Sequence, residues 1–193
     1  MFATEFGWTG LMVEGDPGKA AMAARRYPHV QAVCDWITPE SVNELLARHG
    51  FTGEVDLLSV DVDGNDYWVW QALTAASGRV VVLEYNSMFG PERAVTIPYD
   101  PKFNRREHRF CYFGASLTAL TRLSAGKGYR LVAVEPTGVN AFFLRNDVAP
   151  EIPAVEPSAV YRISEKYNDL IRRKNIDVYK WAAETGRQIV DVG

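Results

Sequence analysis

Residues 55–66 read VDLLSVDVDGND, and this stretch decides the fold. Its first eight residues are apolar apart from Asp56, Ser59 and Asp61, and its last four are the Asp, Gly and Asn residues that favour tight turns. A strand that is apolar along most of its length is typical of parallel sheets, which are covered on both faces. The stretch therefore predicts a buried strand that leads through a turn into a helix beginning at Tyr67.

Strands and helices alternate on both sides of this stretch. Further strands are predicted at residues 11–14, 30–34 and 80–85, and helices at residues 18–26, 38–50 and 67–75. Two of the helices begin with a capping residue followed by proline, at Asp16-Pro17 and Thr38-Pro39. This alternation predicts an α/β fold with a mostly parallel sheet and helices on both faces.

The pattern changes after residue 86. Residues 87–112 contain three prolines, several aromatic residues and a basic cluster, and we interpret them as a long excursion over the sheet edge. The basic cluster comprises Arg105, Arg106, His108 and Arg109. It suits an anionic substrate, although a run of this kind is more often a solvated loop.

The remaining sequence predicts a helix, a hairpin and a second helix. The first helix covers residues 115–124. Two strands at residues 129–134 and 141–144 are joined by a short turn, so we expect them to pair antiparallel. Residues 160–173 have the composition of a surface helix.

Length and composition predict the domain organisation. With 193 residues and 47% hydrophobic content, the chain is long enough to bury a core. We expect one α/β domain at residues 1–148, with residues 149–193 packed on it as an irregular segment and a helix.

Charge and cysteine content limit the partners. The net charge of −3 argues against a broad basic surface for nucleic acid. Because no apolar run is long enough to cross a bilayer, we expect no membrane partner. Two cysteines, Cys34 and Cys111, are too few for a disulfide framework, which favours the cytoplasm, and both are expected in the core.

Polar residues follow each strand in the first half of the chain. These strand ends are Glu14-Gly15-Asp16, Asp35-Trp36, Asp61-Val62-Asp63-Gly64 and Glu84-Tyr85-Asn86. In open parallel sheets, ligands bind at the carboxyl ends of the strands. The four ends are therefore expected to bring hydrogen-bond acceptors together at one rim.

The first two strand ends suit a nucleoside. The two oxygens of Glu14 can accept from both hydroxyls of a ribose, although a helix-capping acid is the simpler interpretation of one such residue. Asp35 can accept from the exocyclic amine of adenine while Trp36 covers the ring. The alternative is a loop aspartate beside a core tryptophan.

The third strand end carries three carboxylates, Asp61, Asp63 and Asp66. Carboxylates this close repel one another unless a cation or hydrogen-bond donors offset their charge. Turn formation is the alternative explanation, and Asp66 is expected to cap the next helix. The loop does not match a calcium-binding EF-hand, because Asp66 and Ala72 stand where glycine and glutamate are required.

Four segments together resemble FkbM-type methyltransferases. They are FGWTGLMVEGDP at residues 6–17, DLLSVDVDGNDYW at residues 56–68, VLEYN at residues 82–86 and GVNAFF at residues 138–143, within a likeness that extends over residues 2–147. The resemblance implies a Rossmann-like class I methyltransferase fold, with a seven-stranded sheet that contains a terminal antiparallel strand. It also implies S-adenosylmethionine as cofactor and oxygen of a small molecule or sugar as methyl acceptor.

The same resemblance implies site residues. Glu14 would hold the cofactor ribose, Asp35 would lie near the adenine, and Asp61 would lie beside the methionine part or the transferred methyl group. Glu84 and Asn86 would face the substrate. The cofactor-binding candidates are Glu14, Asp16, Asp35, Trp36 and Asp61, and the catalytic candidates are Asp61, Asp63, Glu84 and Asn86.

The sequence departs from the family before Glu14. The family has a strand and a glycine-rich loop that precede this point, whereas residues 1–10 read as the end of the following helix. In the family's strand order, the missing first strand lies between the family's second and fourth strands. Its loss would leave N–H and C=O groups of these two buried strands unpaired, and each unsatisfied group costs about 1–3 kcal/mol of stability. Three explanations of the missing strand are open. The chain is a fragment or begins at a late start codon, the neighbouring strands close the gap, or another chain supplies the strand. We favour the first.

Two chemical roles and two other functions stay open at this point. Asp61 or Asp63 could act as general base for a hydroxyl, or hold a divalent metal ion that lowers its pKa. The pattern Asp61-Val62-Asp63 also occurs in metal-dependent phosphatases of the haloacid dehalogenase type, but Asn65 replaces the small hydroxyl or β-branched residue that these enzymes need. A truncated, non-catalytic binding module is the other alternative.

Overall fold

A computed structural model describes residues 2–108, 111–165, 167–168 and 176–193 of the chain. The chain divides into two compact units. The first consists of Met1–Gly53 and Ala72–Ser77, and the second of Glu54–Gln71 and Gly78–Gly193.

The first unit is built on a parallel pair of strands. Its elements are α1 (Phe2–Glu5), β1 (Gly10–Glu14), α2 (Pro17–Arg26), β2 (Val30–Cys34) and α3 (Val42–Arg48). Strands β1 and β2 pair in register from Gly10 opposite Val30 to Glu14 opposite Cys34. The predicted start of α2 is confirmed, since the Asp16 carboxylate accepts from the amides of Gly18 and Lys19 and Pro17 occupies the first turn.

The elements from residue 53 onward build a larger α/β arrangement. They are β3 (Gly53–Val60), α4 (Asp66–Ala72), β4 (Ala76–Glu84), β5 (Val95–Thr96), α5 (Leu117–Gly126), β6 (Tyr129–Val134), β7 (Asn140–Arg145), α6 (Pro157–Val160), α7 (Val178–Glu184) and β8 (Val190–Asp191). Four of the strands form one sheet in the order β3-β4-β7-β6, and β5 pairs antiparallel with β8.

The four-stranded sheet is mixed, whereas the sequence predicted a mostly parallel one. Strand β7 runs antiparallel to both of its neighbours, β4 and β6, so the predicted β6–β7 hairpin is confirmed. Its apolar residues Ala141 and Phe143 are fully buried. Because β7 has this central position, the second strand of the hairpin, rather than the first, pairs with β4.

Strand β4 begins earlier than the sequence predicted. Ser77-Gly78 was expected to precede the strand at residue 80, but the strand already begins at Ala76. A Cβ atom at Gly78 would lie 2.8 Å from the carbonyl oxygen of Val80 and 3.0 Å from the Cβ of Leu58. Glycine is required here because it permits this close approach, so Gly78 belongs to β4 rather than to a break between the helix and the strand.

Burial differs strongly between the strands. Val81 and Leu83 of β4 are completely buried, but the residues of β1 are at best half-buried and β3 buries only Val60. Among the described residues, β1 is hydrogen-bonded in a sheet only with β2, and β3 only with β4. Each is therefore an edge strand, which explains why an apolar strand such as β3 stays partly exposed.

The excursion packs against the C-terminal part of the chain. An apolar core joins these two segments. It contains Phe89, Val95, Ile97, Phe103, Cys111, Tyr112, Phe113, Tyr167, Val178 and Ala182. Of the helix predicted at residues 160–173, much lies outside the described residues, and α6 covers only Pro157–Val160. Cys111 is buried as expected, but the prediction for Cys34 is wrong because its side chain is exposed.

None of the helices in the described part of the chain has both the length and the apolar character needed to span a membrane.

The β7 core provides a test of the sheet. Phe143 is completely buried at the centre of β7, so we expect Phe143→Ala to lower the free energy of unfolding by about 3–5 kcal/mol. Phe6→Ala is the matched control, because Phe6 is 62% exposed, and it should change stability by less than about 0.5 kcal/mol. Urea denaturation measures both. Equal effects of the two substitutions would contradict the placement of β7.

Candidate functional site

The parallel pairing of β1 and β2 brings two acidic strand ends together. Glu14 is the last residue of β1, and Asp35 directly follows β2. The amide of Asp35 donates to the carbonyl oxygen of Glu14 at 3.2 Å, which continues the ladder by one bond. The carboxylates of Glu14 and Asp35 therefore lie at the same edge of this small sheet.

The carboxylate of Glu14 is partly engaged within its own turn. Its Oε1 accepts from the amide of Asp16 at 2.9 Å, and its Oε2 accepts no hydrogen bond from the described residues. Asp16, in contrast, uses its carboxylate to cap α2, with 2.8 Å and 2.9 Å to the amides of Gly18 and Lys19. Asp16 thus orients Glu14 through its backbone, and Glu14 keeps acceptor capacity for a ligand.

Trp36 presents an aromatic surface beside these acids. Its side chain is 60% exposed, so the alternative that Trp36 is a core residue is wrong. The indole lies directly on Gly15, where a Cβ atom would come within 2.4 Å of the ring. The Asp35 carboxylate accepts from the Trp36 amide at 2.8 Å and lies 3.8 Å from Arg48. An exposed aromatic ring at the strand edge that carries Glu14 and Asp35 suits a nucleoside.

A second acidic group lies in the second unit, at the ends of β3 and β4. One carboxylate oxygen from each of Asp61, Asp63 and Glu84 lies within 4.8 Å of the others. We call these residues the acidic triad. Glu84 is 6% exposed, whereas Asp61 and Asp63 face solvent. Three carboxylate oxygens are ligands that a hard divalent cation accepts.

Arg105 reaches into the acidic triad from the excursion. It lies in a 3-10 turn at Arg105–Glu107. Its Nη1 donates to Asp63 at 2.8 Å and to Glu84 at 3.2 Å, and its Nη2 donates to the hydroxyl of Tyr167 at 2.7 Å. The guanidinium also lies 3.7 Å from the centre of the Phe113 ring.

His108, another member of the basic cluster, has different partners from Arg105. His108 stacks on Phe103 with ring centres 4.8 Å apart and accepts from Nε of Arg187 at 3.1 Å. Arg109 lies outside the described residues. The sequence therefore identified Arg105 only as one member of a basic run. Nothing in the sequence pointed to Tyr167.

Asp66 braces the turn that carries Asp61 and Asp63. Its carboxylate is completely buried and accepts from the amides of Val62 at 2.9 Å and Gly64 at 3.0 Å. The expectation that Asp66 caps the following helix is wrong, because these amides precede it. The brace holds Asp63 in the left-handed region at φ 56°, which is costly for a residue other than glycine.

Asn86 has a structural position rather than an exposed one. Its side chain is completely buried and donates to the carbonyl oxygens of Cys111 and Phe113, both at 2.9 Å. Its Oδ1 accepts from the amide of Met88. These bonds tie the end of β4 to the excursion, so Asn86 does not face a substrate as predicted.

Burial and mutual repulsion dominate the electrostatics of the second unit's site. Desolvation, then Asp66, raises the pKa of Glu84 to about 8, while Arg105 opposes the shift and Asp61 adds to it. Desolvation, then Asp63, raises the pKa of Asp61, again against the effect of Arg105. Burial likewise raises the pKa of Asp66 to about 6.

Searches of family models, of curated proteins and of solved structures found no match to this chain.

The brace at Asp66 can be tested by its removal. Asp66→Ala leaves the buried amides of Val62 and Gly64 without an acceptor, so we expect the free energy of unfolding to fall by about 2–4 kcal/mol. Asp56→Ala is the matched control, because the Asp56 side chain is 77% exposed and it should cost less than about 0.5 kcal/mol. Chemical denaturation compares them. A loss at position 66 no larger than at position 56 would contradict the brace.

The raised pKa of Glu84 predicts a pH dependence of stability. Between about pH 6 and pH 8 the folded chain retains a proton on Glu84 that the unfolded chain has released, so the free energy of unfolding falls as pH rises through this window. Glu84→Gln has no such proton, and its stability should fall less steeply. Urea denaturation at a series of pH values measures both slopes, and parallel curves would show that Glu84 does not titrate in this range.

Proposed function

We propose that this chain binds S-adenosylmethionine at the β1–β2 edge and transfers its methyl group to an oxygen of a small molecule or sugar. The observation that carries the proposal is the exposed indole of Trp36, which lies on Gly15, the residue after Glu14, at the edge where β1 and β2 end. Tryptophan has a large apolar ring and a polar N–H group, which suits it to stacking against a flat ligand.

The groups at this edge match the polar groups of an adenosine. The Oε2 atom of Glu14 would accept from the ribose hydroxyls, since its Oε1 atom is already fixed by the amide of Asp16. Asp35 would accept from the exocyclic amine of the adenine, and Trp36 would cover the ring face. Gly15 permits this because any side chain there would displace the indole.

The strand arrangement supports a class I methyltransferase fold. That fold, implied by the four segments that resemble FkbM-type enzymes, has a sheet with a terminal antiparallel strand. Strand β7 is the last strand of the four-stranded sheet in chain order, although it lies inside the sheet, and it pairs antiparallel with both β4 and β6. The parallel pair β1–β2 and the β3–α4–β4 connection fit the parallel part of such a sheet.

When bound, S-adenosylmethionine supplies an electrophilic methyl carbon on a sulfonium, so the protein chiefly has to align the acceptor and remove its proton. Among the carboxylates of the second unit, Asp61 is best suited to accept a proton. Desolvation, then the neighbouring Asp63, raises its pKa toward neutral pH, and it forms no salt bridge with the described residues. Asp63 is less suited, because Arg105 pairs with it at 2.8 Å.

Cofactor binding can be tested by titration. We expect S-adenosylmethionine to raise the unfolding temperature of the native chain, and Glu14→Gln to weaken its affinity about 10- to 100-fold in isothermal titration calorimetry through the loss of a charged acceptor. Glu44→Gln is the matched control, because this glutamate is 82% exposed on α3, and it should bind like the native chain. Equal affinity in Glu14→Gln and Glu44→Gln would reject the ribose role.

The same samples separate the alternatives. Hydrolysis of p-nitrophenyl phosphate that requires magnesium and disappears in Asp61→Asn would favour the haloacid dehalogenase type of phosphatase. A well-folded chain whose unfolding temperature does not respond to S-adenosylmethionine would favour a non-catalytic binding module.

A further inference from the structure

In the second unit, the guanidinium of Arg105 lies among the carboxylates of the acidic triad. We propose that Arg105 is a positioning residue that acts as the resident cation of the acidic triad, in the position that a divalent ion would otherwise take. It thereby fixes the excursion to the ends of β3 and β4 and keeps divalent cations out of the native site.

The acidic triad needs a positive charge. Oxygens of Asp61, Asp63 and Glu84 lie within 4.8 Å of one another, and carboxylates at this separation repel strongly when one of them is buried. Arg105 supplies the charge, since one of its nitrogens contacts both Asp63 and Glu84. Within the described part of the chain, no other lysine or arginine forms a salt bridge with the triad.

The guanidinium is held from its other side as well. Its Nη2 donates to the hydroxyl of Tyr167 at 2.7 Å, and its plane lies 3.7 Å from the centre of the Phe113 ring. The Arg105 side chain is only 23% exposed. These contacts use both the planar shape and the forked donors of arginine, which an ammonium group cannot reproduce. Arg105 is therefore fixed in place and is not a mobile surface charge that happens to lie near acids.

Arg105 affects the reaction, an inference that rests on the proposed function. With Arg105 in the triad, the proton of the acceptor hydroxyl passes to the carboxylate of Asp61, and Arg105 pairs with the neighbouring Asp63 and Glu84. The positive charge that assists the reaction then belongs to the protein. Removal of Arg105 should instead open the triad to a divalent ion.

Calcium binding tests this directly, because Ca²⁺ accepts carboxylate oxygens in flexible geometry. Isothermal titration is performed at about pH 8.5, where Glu84 is largely ionised. We expect Arg105→Met, which keeps an apolar chain beside Phe113, to bind Ca²⁺ at least about tenfold more tightly than the native chain. Arg105→Lys retains the charge and should bind as weakly as the native chain, and Arg105→Met with Asp63→Asn should lose the gain.

The proposal is overturned if Arg105→Met folds but binds Ca²⁺ no more tightly than the native chain, or if Arg105→Lys gains as much as Arg105→Met. If Arg105→Met does not fold, the unfolding temperature of the native chain is measured with and without Ca²⁺. No change with Ca²⁺ supports Arg105 as the resident cation. A rise that Asp63→Asn abolishes contradicts it. Binding of S-adenosylmethionine by the same variants is measured separately, so a failure of the proposed cofactor does not affect this result.

Discussion

Neighbouring strands that end at the same edge place their last residues side by side, and the chemistry of this chain depends on that constraint. In the first unit it brings Glu14 to Asp35, with the amide of Asp35 bonded to the carbonyl of Glu14. In the second unit it brings Asp61 and Asp63 after β3 to Glu84 at the end of β4. Acids that are distant in sequence thereby form compact acceptor groups.

Concentrated acids have to be compensated, and the two units do this differently. At the first edge the carboxylates remain in contact with solvent and are oriented by backbone amides, among them that of Asp16 toward Glu14. In the second unit, backbone amides of Val62 and Gly64 satisfy the buried Asp66, and Arg105 donates to both Asp63 and Glu84. The open edge suits a ligand with donors, whereas the compensated triad suits a fixed role in orientation and proton transfer.

Local patterns in the sequence predicted the elements that local chemistry determines. The cap at Asp16, the strand at residues 30–34 and the β6–β7 hairpin follow from side chains that act within a few residues of themselves. The proximity of Glu14 and Asp35 also followed, because parallel pairing leaves no other arrangement of the two ends.

Features that depend on distant contacts were not predictable. The sequence pattern of the hairpin is the same whether its first strand, β6, or its second strand, β7, pairs with β4. The pairing of β7 with β4 depends on how well the buried face of each strand packs in that position. The insertion of Arg105 depends on Phe113 and on Tyr167, which is 62 residues away in the chain. The buried role of Asn86 arises from carbonyl groups that the excursion presents to it. In each case the deciding partner is not adjacent in sequence.

A crystal structure of the chain grown with S-adenosylhomocysteine tests the proposed adenosine site at the β1–β2 edge. We expect the ribose hydroxyls to donate to Glu14, and the adenine to lie against Trp36 with its amine directed to Asp35. An adenosine bound elsewhere in the molecule, with Glu14 and Trp36 in contact only with solvent, would contradict it.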